Sequence, residues 1–298
     1  MTTSFDFTFV TCSKLSKGDP DDLLALDILR HKGFSCAVVD WRDAQFAYDK
    51  SKLTVLRSTW DYHLHLDAFK RWLTDVAAVT TLLNDVALVQ NNLDKKYLLD
   101  LARRGIAVCP TVYIEPGQKL DSAALKHYMC DLDLSLDSRV IIKPAVGLST
   151  YGVKKFDTLS DTFANEAWLH LHDLLNHSAV LLQPYLPQVE TYGERALIYI
   201  DGEYSHSIRK SAFQVLAVAG QAGEETKLAT DLEIEFGYKV LATLPEKPLY
   251  ARVDIVGDGQ KQILLLELEL TEPSLYLSMN EGSANLFADA LVKRLTKA

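Results

Sequence analysis

The stretch Arg252–Leu270, RVDIVGDGQKQILLLELEL, alternates in a pattern that few folds can absorb. Read as two strands around a Gly257-Asp258-Gly259 turn, residues two apart share a face. Leu264, Leu266, Leu268 and Leu270 then form one apolar face, while on the other Ile263 and Leu265 give way to Glu267 and Glu269. Across the turn Arg252 and Asp254 share a face, with Ala251, Val253 and Ile255 opposite. Antiparallel pairing would bring one arginine and three carboxylates onto one surface. Like charges so close are unfavourable unless a cation or a cationic side chain neutralises them. Clustered carboxylates suit magnesium, which takes hard oxygen ligands and shares them with nucleotide phosphates. The same alternation also describes a solvated polar face with one structural Arg–carboxylate pair.

The rest of the chain must bury that hairpin's apolar side. The first third alternates strands and helices. Phe5–Thr11 reads as a strand and Asp19–Lys32 as a helix, with acidic residues at its start and Gly33 at its stop. Ser35–Trp41 and Leu53–Arg57 read as further strands and Leu66–Ala78 as a helix, the rhythm of an open, mainly parallel sheet. Asp94–Arg104 gives a short helix, followed by the strand-like IAVCPTVYI, a helix over Asp121–Cys130 and a strand over Val140–Pro144. From there strands and turns dominate. Ala179–Pro184 is an apolar strand, Asp201-Gly202 marks a hairpin between Arg195–Ile200 and Glu203–Lys210, and Ser283–Thr296 is a closing helix. The stretch Gln214–Glu225, rich in Gly, Ala and Gln, reads as a mobile loop. The fold class is α/β, becoming α+β toward the C-terminus.

With 298 residues the chain is long enough for about two domains. Its net charge of −9 argues against a nucleic-acid partner. No segment reaches the ~18 apolar residues of a membrane span. Met1–Cys12 carries no secretory pattern, and Cys12, Cys36, Cys109 and Cys130 fall at no disulfide or zinc spacing. A cytoplasmic protein with free thiols is expected, with a homodimer only as the commonest assembly of such enzymes.

Two further constellations carry chemistry. In VIIKPAVGLSTYGVKKF, Lys143 ends an apolar strand and a loop with Gly147, Ser149, Thr150 and Gly152 follows. Glycines let backbone N–H groups approach phosphate oxygens, and a lysine supplies the compensating charge. A surface turn with an incidental lysine fits as well. In LLQPYLPQVETYGER, an apolar strand runs into an extended connector bearing Glu190, which could accept from ribose hydroxyls or simply face solvent.

Order and spacing add what the pieces lack singly. From Asp94 onward the sequence resembles the ATP-grasp superfamily, on the DKKYLL lysine, Lys143, the glycine-bearing loop, the QPYL connector, Glu190, the RVD triplet and the late E-x-E. Residues 1–92 resemble the small α/β domain preceding the grasp, with lobes at 93–185 and 186–298. The phrases VLRSTWDYH, LELELTEPSLYL, QPYLPQVE and HSIRK are similar to the branch containing the cycloserine-forming ligase.

The resemblance implies an ATP-dependent carboxylate–amine ligase acting on small molecules through an acyl phosphate, with an amino-acid-like substrate and ring closure among its reactions. A phosphotransferase and a nucleotide-binding module without turnover are the alternatives. Lys95 (or its neighbour Lys96) and Lys143 would bind ATP phosphates, residues 145–152 would fold over them, Gln183, Pro184, Tyr185 and Leu186 would cradle adenine, and Glu190 would hold ribose. Asp254, Glu267 and Glu269 would ligate two Mg2+ ions, replaceable by Mn2+, with Arg252 stabilising the acyl phosphate. The superfamily has asparagine where Glu269 stands, which leaves Glu272 as another participant. Arg209, with Lys210 beside it, is a further candidate for carboxylate or phosphate binding. Arg57, Ser58, Thr59, Trp60, Asp61 and Tyr62, at a strand end of the first domain, either contact substrate or form a packing cluster between domains.

Overall fold

The computed structural model describes residues 4–118, 124–132, 138–148, 150–160, 162–211, 223–257 and 262–297. The first segment follows the expected rhythm: β1 (Phe5–Thr11), α1 (Pro20–His31), β2 (Cys36–Asp40), β3 (Ser51–Ser58), α2 (Leu66–Ala77) and β4 (Thr81–Leu83). These strands form a parallel sheet in the order β2-β1-β3-β4. The first helix begins where its sequence says it should. Asp19 caps it by accepting from the Asp21 N–H at 3.0 Å, and Pro20 occupies the first turn, where no N–H is needed.

Next come α3 (Val86–Asn92), α4 (Tyr97–Arg103), β5 (Val112–Ile114), α5 (Ala124–Asp131), β6 (Arg139–Pro144), β7 (Lys154–Asp157), α6 (Phe163–Leu175) and β8 (Val180–Pro184). Strands β5-β8-β6-β7 make an antiparallel sheet packed on α5 and α6 through Ile142, Phe163, Leu171 and Leu182. The last segment holds α7 (Gln188–Thr191), β9 (Glu194–Ile200), β10 (Glu203–Lys210), β11 (Glu224–Thr226), α8 (Asp231–Leu241), β12 (Tyr250–Gly257), β13 (Ile263–Glu269) and α9 (Ser283–Leu295). Its antiparallel sheet runs β11-β10-β9-β12-β13. The hairpin turn at Asp201-Gly202 has positive φ at both residues (47° and 76°), as the sequence predicts for an Asp-Gly pair.

This third sheet has two different faces. Leu197, Tyr199, Ala251, Val253, Ile255, Leu265 and Leu268 pack in one cluster with α4 and α8. The opposite face is apolar at one end only. Ala196, Ile198, Ile200, Ile208 and Tyr250 join Phe7, Phe9, Leu53, Leu26 and Phe287 in a core shared by the first sheet, α1 and α9. At the other end the same face turns charged, and that end carries the site.

The strand β13 departs from the expected alternation. Asp254 pairs with Glu267 but Ile255 with Leu265, so Leu266 is an extra residue in a β-bulge. The bulge reverses the phase: Leu265 and Leu268 enter the core, whereas Leu266 faces outward beside Glu267. The predicted single face of Leu264, Leu266, Leu268 and Leu270 is therefore broken. Of the sequence-based expectations, Asp258 and Gly259 of the turn, residues 121–123 of the fifth helix and most of the Gln214–Glu225 stretch lie outside the described residues.

Candidate active site

The charged end of the third sheet faces the end of the second across a cleft of about 310 Å³. Register explains which side chains reach it. Arg252 lies opposite Glu269, Asp254 opposite Glu267, and Lys210 opposite Glu194, so all six point to one side. From the second sheet come Lys143 and Pro144 at the end of β6 and Gln183 and Pro184 at the end of β8, joined by Tyr185 and Leu186. Lys95 enters from the turn before α4, its backbone N–H bonded to the Ala145 carbonyl at 2.9 Å.

Four cations and four carboxylates meet there. Lys95 Nζ lies 3.1 Å from Glu267 and donates to the Gly147 carbonyl at 2.7 Å. Lys210 Nζ donates to Asp254 at 2.8 Å and pairs with Glu194. Arg252 donates to Asp254 through Nε (2.9 Å) and Nη2 (3.0 Å), and also to Glu269. Lys143 makes no ion pair among the described residues, which leaves its ammonium facing the cleft for an incoming anion.

Protonation follows from this arrangement. Burial works against the Asp254 carboxylate, but Arg252 and Lys210 outweigh it and hold its pKa at about 2. Glu267 is likewise lowered, by Lys95 and Lys143 acting against burial. Glu269 is pushed up to about 7 by burial and by the charges of Asp254 and Glu267. Arg252 is shared, and Asp254 takes the larger part of it, which is why the Arg252–Glu269 contact does not keep Glu269 low. Burial lowers Lys143. Glu272, just beyond the strand, is raised well above the carboxylate range by burial and Glu269.

The donor set suits a hard divalent cation: three carboxylates on adjacent strands, each now held by a lysine or arginine. Among the described residues no group of three or more ligating side chains is arranged to hold a metal. Magnesium does not need one, since it characteristically takes one or two carboxylates and completes its shell with phosphate oxygens and water.

The structure places several of the predicted residues at or beside the cleft. Gly147 and Thr150 line the cleft, and Thr150 (φ 60°) and Gly152 (φ 66°) both bend the loop through left-handed backbone. Gly152 itself packs inward against Pro144 and Leu174, its carbonyl accepting from His170 Nε2 at 2.9 Å. Ser149 lies outside the described residues. Gln183 hydrogen-bonds Thr111 at 2.7 Å. Lys95 is the buried lysine of its pair, whereas Lys96 is exposed and bridges to Glu115 at 2.6 Å. Glu190 sits at the rim, held by the Tyr185 phenol and by Arg139 at 3.3 Å.

Others fall elsewhere. Arg209 is on the far face of the sheet, donating to the carbonyls of Tyr192 (3.0 Å) and Thr191 (3.2 Å); one residue on, Lys210 takes the cleft position. Period-two alternation separates these neighbours, and their basic character alone gives no choice between them. None of Arg57–Tyr62 is among the residues lining the cleft. Arg57 is buried, bonded to Asp22 at 2.7 Å and to the Pro273 carbonyl at 2.9 Å, with its guanidinium over Tyr250 and Phe287. Trp60 donates to the Glu272 carbonyl at 3.0 Å, Asp61 holds Trp41 and Arg42, Ser58 donates to Thr11, and Tyr62 stacks on Phe69. Thr59 is buried with its hydroxyl unpartnered. For five of the six, the packing alternative describes what they do. The cleft also contains Cys109 and Leu266, which periodicity did not flag: Cys109 precedes a proline, and Leu266 is the bulge residue.

A three-part α/β chain with a lysine-rich, carboxylate-backed cleft between two antiparallel sheets is the architecture of an ATP-grasp ligase. The solved D-alanine–D-alanine ligase of Bacillus anthracis complexed with ATP shares this fold, with a TM-score of 0.67 at 14% identity over 99% of this chain and 98% of that one. The chain belongs to the D-cycloserine synthetase (DcsG) family. It is 30% identical over 295 residues to the cycloserine biosynthesis protein DcsG of Streptomyces lavendulae, covering 91% of this chain and 92% of that protein. The crystal structure of D-cycloserine synthetase DcsG superposes with a TM-score of 0.88 at 31% identity, over 97% and 99% of the two chains. The family model for the DcsG N-terminal domain matches residues 7–84. The chain is thus an ATP-dependent ligase that forms amide bonds. No helix among the described residues is long and apolar enough to cross a membrane.

Proposed function

We propose that this chain joins a carboxylate to a nitrogen within one amino-acid-like small molecule and so closes a ring, a reading that its likeness to a D-cycloserine synthetase supports. The observation that carries the site assignment is the convergence of Lys95, Lys143, Lys210, Arg252, Asp254, Glu267 and Glu269 on one cleft. The unpaired Lys143 and the nearby Lys95 would receive the β- and γ-phosphates, with Gly147 and Thr150 supplying backbone close to them. Adenine would lie against Gln183–Leu186, Cys109 and Leu266, and ribose near Glu190. Asp254, Glu267 and Glu269 would hold magnesium, which when bound offsets phosphate charge and aligns the phosphoryl group. The three segments 1–92, 93–185 and 186–298 serve as the working division into lobes.

The chain's own part in the chemistry is then positioning and charge. A substrate carboxylate oxygen attacks the γ-phosphorus, the bond to ADP breaks, and an acyl phosphate forms. The nitrogen attacks the acyl carbon, the oxyanion is stabilised by Arg252, and phosphate departs. Arg252 has contacts to spare for this: among the described residues its Nη1 bonds the Ser274 carbonyl alone, at 3.3 Å.

Product analysis tests the reading. With ATP, magnesium and a panel of amino acids carrying a second nitrogen, ADP and phosphate should appear only with the correct compound, together with a cyclic amide. A stable phosphorylated product would make the chain a kinase, and AMP with pyrophosphate would refute the acyl-phosphate route.

A further inference from the structure

Each carboxylate lining the cleft is paired with a cation: Lys210 serves Glu194 and Asp254, Arg252 serves Asp254 and Glu269, and Lys95 serves Glu267. A fifth carboxylate stands beside them without one. Glu272 is 8% exposed, makes no ion pair among the described residues, and its Oε2 is buried with no hydrogen-bond partner. The charges that act on it belong to Glu269, Lys95, Glu267 and Arg252, all of which line the cleft. Two hydroxyls in the same neighbourhood are equally unpartnered, Thr59 Oγ1 and Thr271 Oγ1, both buried. The loop after β3 and the loop after β13 run side by side there. Trp60 bonds the Glu272 carbonyl, Arg57 bonds the Pro273 carbonyl, and the Tyr250 phenol bridges the carbonyls of Leu56 and Thr271.

A buried carboxyl without a counter-ion avoids the cost of a lone buried charge by keeping its proton, and it ionises when a cation reaches it, while a buried hydroxyl without a partner costs about 1–3 kcal/mol. Three such groups at one seam make poor architecture but a good receptor. A carboxyl with no cation, on a seam that also holds two unpartnered hydroxyls and beside cleft carboxylates that already have cations, calls for a ligand with positive charge and N–H donors.

We propose that Glu272, with the hydroxyls of Thr59 and Thr271, receives the ammonium group of the amino-acid substrate. This rests on the ligase reading above and adds the substrate's recognition to it. An ammonium held here has no lone pair with which to attack an acyl phosphate. The group bound is therefore the substrate's non-reacting amine, and the nucleophile is its other nitrogen. Glu272 fixes which nitrogen reacts without itself touching the reacting atoms.

The test is calorimetric titration of D-cycloserine, and separately of N-acetyl-D-cycloserine, into the full chain loaded with ADP and magnesium. Wild type should bind D-cycloserine at least tenfold more tightly than the acetylated compound, whose nitrogen carries no charge. Glu272→Gln should lose at least tenfold toward D-cycloserine and no longer distinguish the two, while its affinity for ADP–magnesium stays within twofold. Thr59→Val should lose three- to tenfold in the same pattern, and it decides the matter with the wild-type contrast should Glu272→Gln fold poorly. Wild-type affinity in Glu272→Gln, no discrimination by wild type, no binding of either compound, or a loss of metal–nucleotide affinity in place of D-cycloserine affinity would each overturn the assignment; the last would make Glu272 a metal ligand. Failure of the ligase reading shows separately, as absence of ADP release across the substrate panel.

Discussion

The outer edge of β13 carries the test that bears most directly on how the fold makes the site. This strand holds Glu267 and Glu269, it ends its sheet, and an edge strand leaves a row of backbone groups unpaired. Here side chains stand in for the missing neighbour. Asn92 Nδ2 donates to the Leu268 carbonyl at 2.8 Å, and its Oδ1 accepts from the Leu270 N–H at 2.8 Å. The Tyr97 phenol accepts from the Leu268 N–H at 3.0 Å, and Asn84 donates to the Leu270 carbonyl at 2.9 Å. Farther along, Ala107 and Cys109 pair with Leu265 through their backbones. Asn92→Ala removes two of these bonds at once. Each partner group left unsatisfied costs about 1–3 kcal/mol, and partial access of water to this edge favours the low end, so a loss of about 2–4 kcal/mol is expected. Urea denaturation measures it, and hydrogen exchange locates it: the Leu270 amide should lose protection in Asn92→Ala. Asn92→Asp keeps the acceptor and should keep that protection, while losing the bond to the Leu268 carbonyl. Ligation should slow as well, because a strand shift of about 1 Å at Glu269 is worth up to ~10²-fold in rate. A destabilisation under about 0.5 kcal/mol, or an unchanged Leu270 amide in Asn92→Ala, would show that the edge is held by something other than this carboxamide.

Three other outcomes follow from the geometry. Lys210→Ala should cut ligation by at least ~10²-fold, as for loss of one charge-stabilising group, whereas Arg209→Ala should leave turnover nearly intact and lower only the denaturation midpoint; the reverse order in steady-state assays would mean the strand faces are misassigned. Gly237→Ala should destabilise by about 1–3 kcal/mol through overpacking, because an added Cβ would lie 1.9 Å from the Tyr199 hydroxyl that bonds the Ile234 carbonyl; an unchanged urea midpoint refutes it. His206 is buried and its pKa is lowered by that burial, so the folded chain binds fewer protons than the unfolded chain once pH falls below the unfolded value near 6.5. Stability should therefore fall as pH drops through that window, by at most ~1.4 kcal/mol per pH unit for this one group, and His206→Asn should flatten the slope in denaturation series between pH 7 and 5.

Much of the fold was legible because its strands and helices carry strong local signals. The Asp19 cap, the Asp201-Gly202 turn and the alternation in Arg252–Val256 each act within a few residues, and each is where the sequence puts it. Elements with subtler marks were missed, such as α8, although Thr230 and Glu233 form a capping box at its start. The bulge at Leu266 had no local signature at all. Three consecutive leucines satisfy either phase of the strand, and the phase is decided by partners far away: Ala107 and Cys109 on Leu265, Tyr97 and Asn92 on Leu268. The lining of the cleft was legible where a charge stands in an otherwise apolar strand, as at Lys143, Arg252, Asp254 and Glu267. It was illegible where two basic neighbours differ only by which side of a sheet they face, as Arg209 and Lys210 do.

The charges of the cleft bind these points together. A sheet face that is core at one end and ionic at the other needs its carboxylates neutralised for the chain to fold, and the structure does this internally, with Lys95, Lys210 and Arg252 serving as the counter-ions. The same three cations are the groups that a phosphate, an acyl phosphate or an oxyanion would recruit. Under the proposed function, ligand binding would be an exchange of partners rather than the burial of new charge: anionic phosphates would draw lysines away from carboxylates, and a divalent cation would be held in their place. Such an exchange keeps the desolvation cost of ion burial within the folding step, where it is spread over the whole core, and spares the catalytic cycle from meeting it again. Lys143, without a carboxylate partner among the described residues, and Glu272, without a cation among them, stand outside the exchange. On the proposed reading, they are the two groups whose partners the ligands would supply.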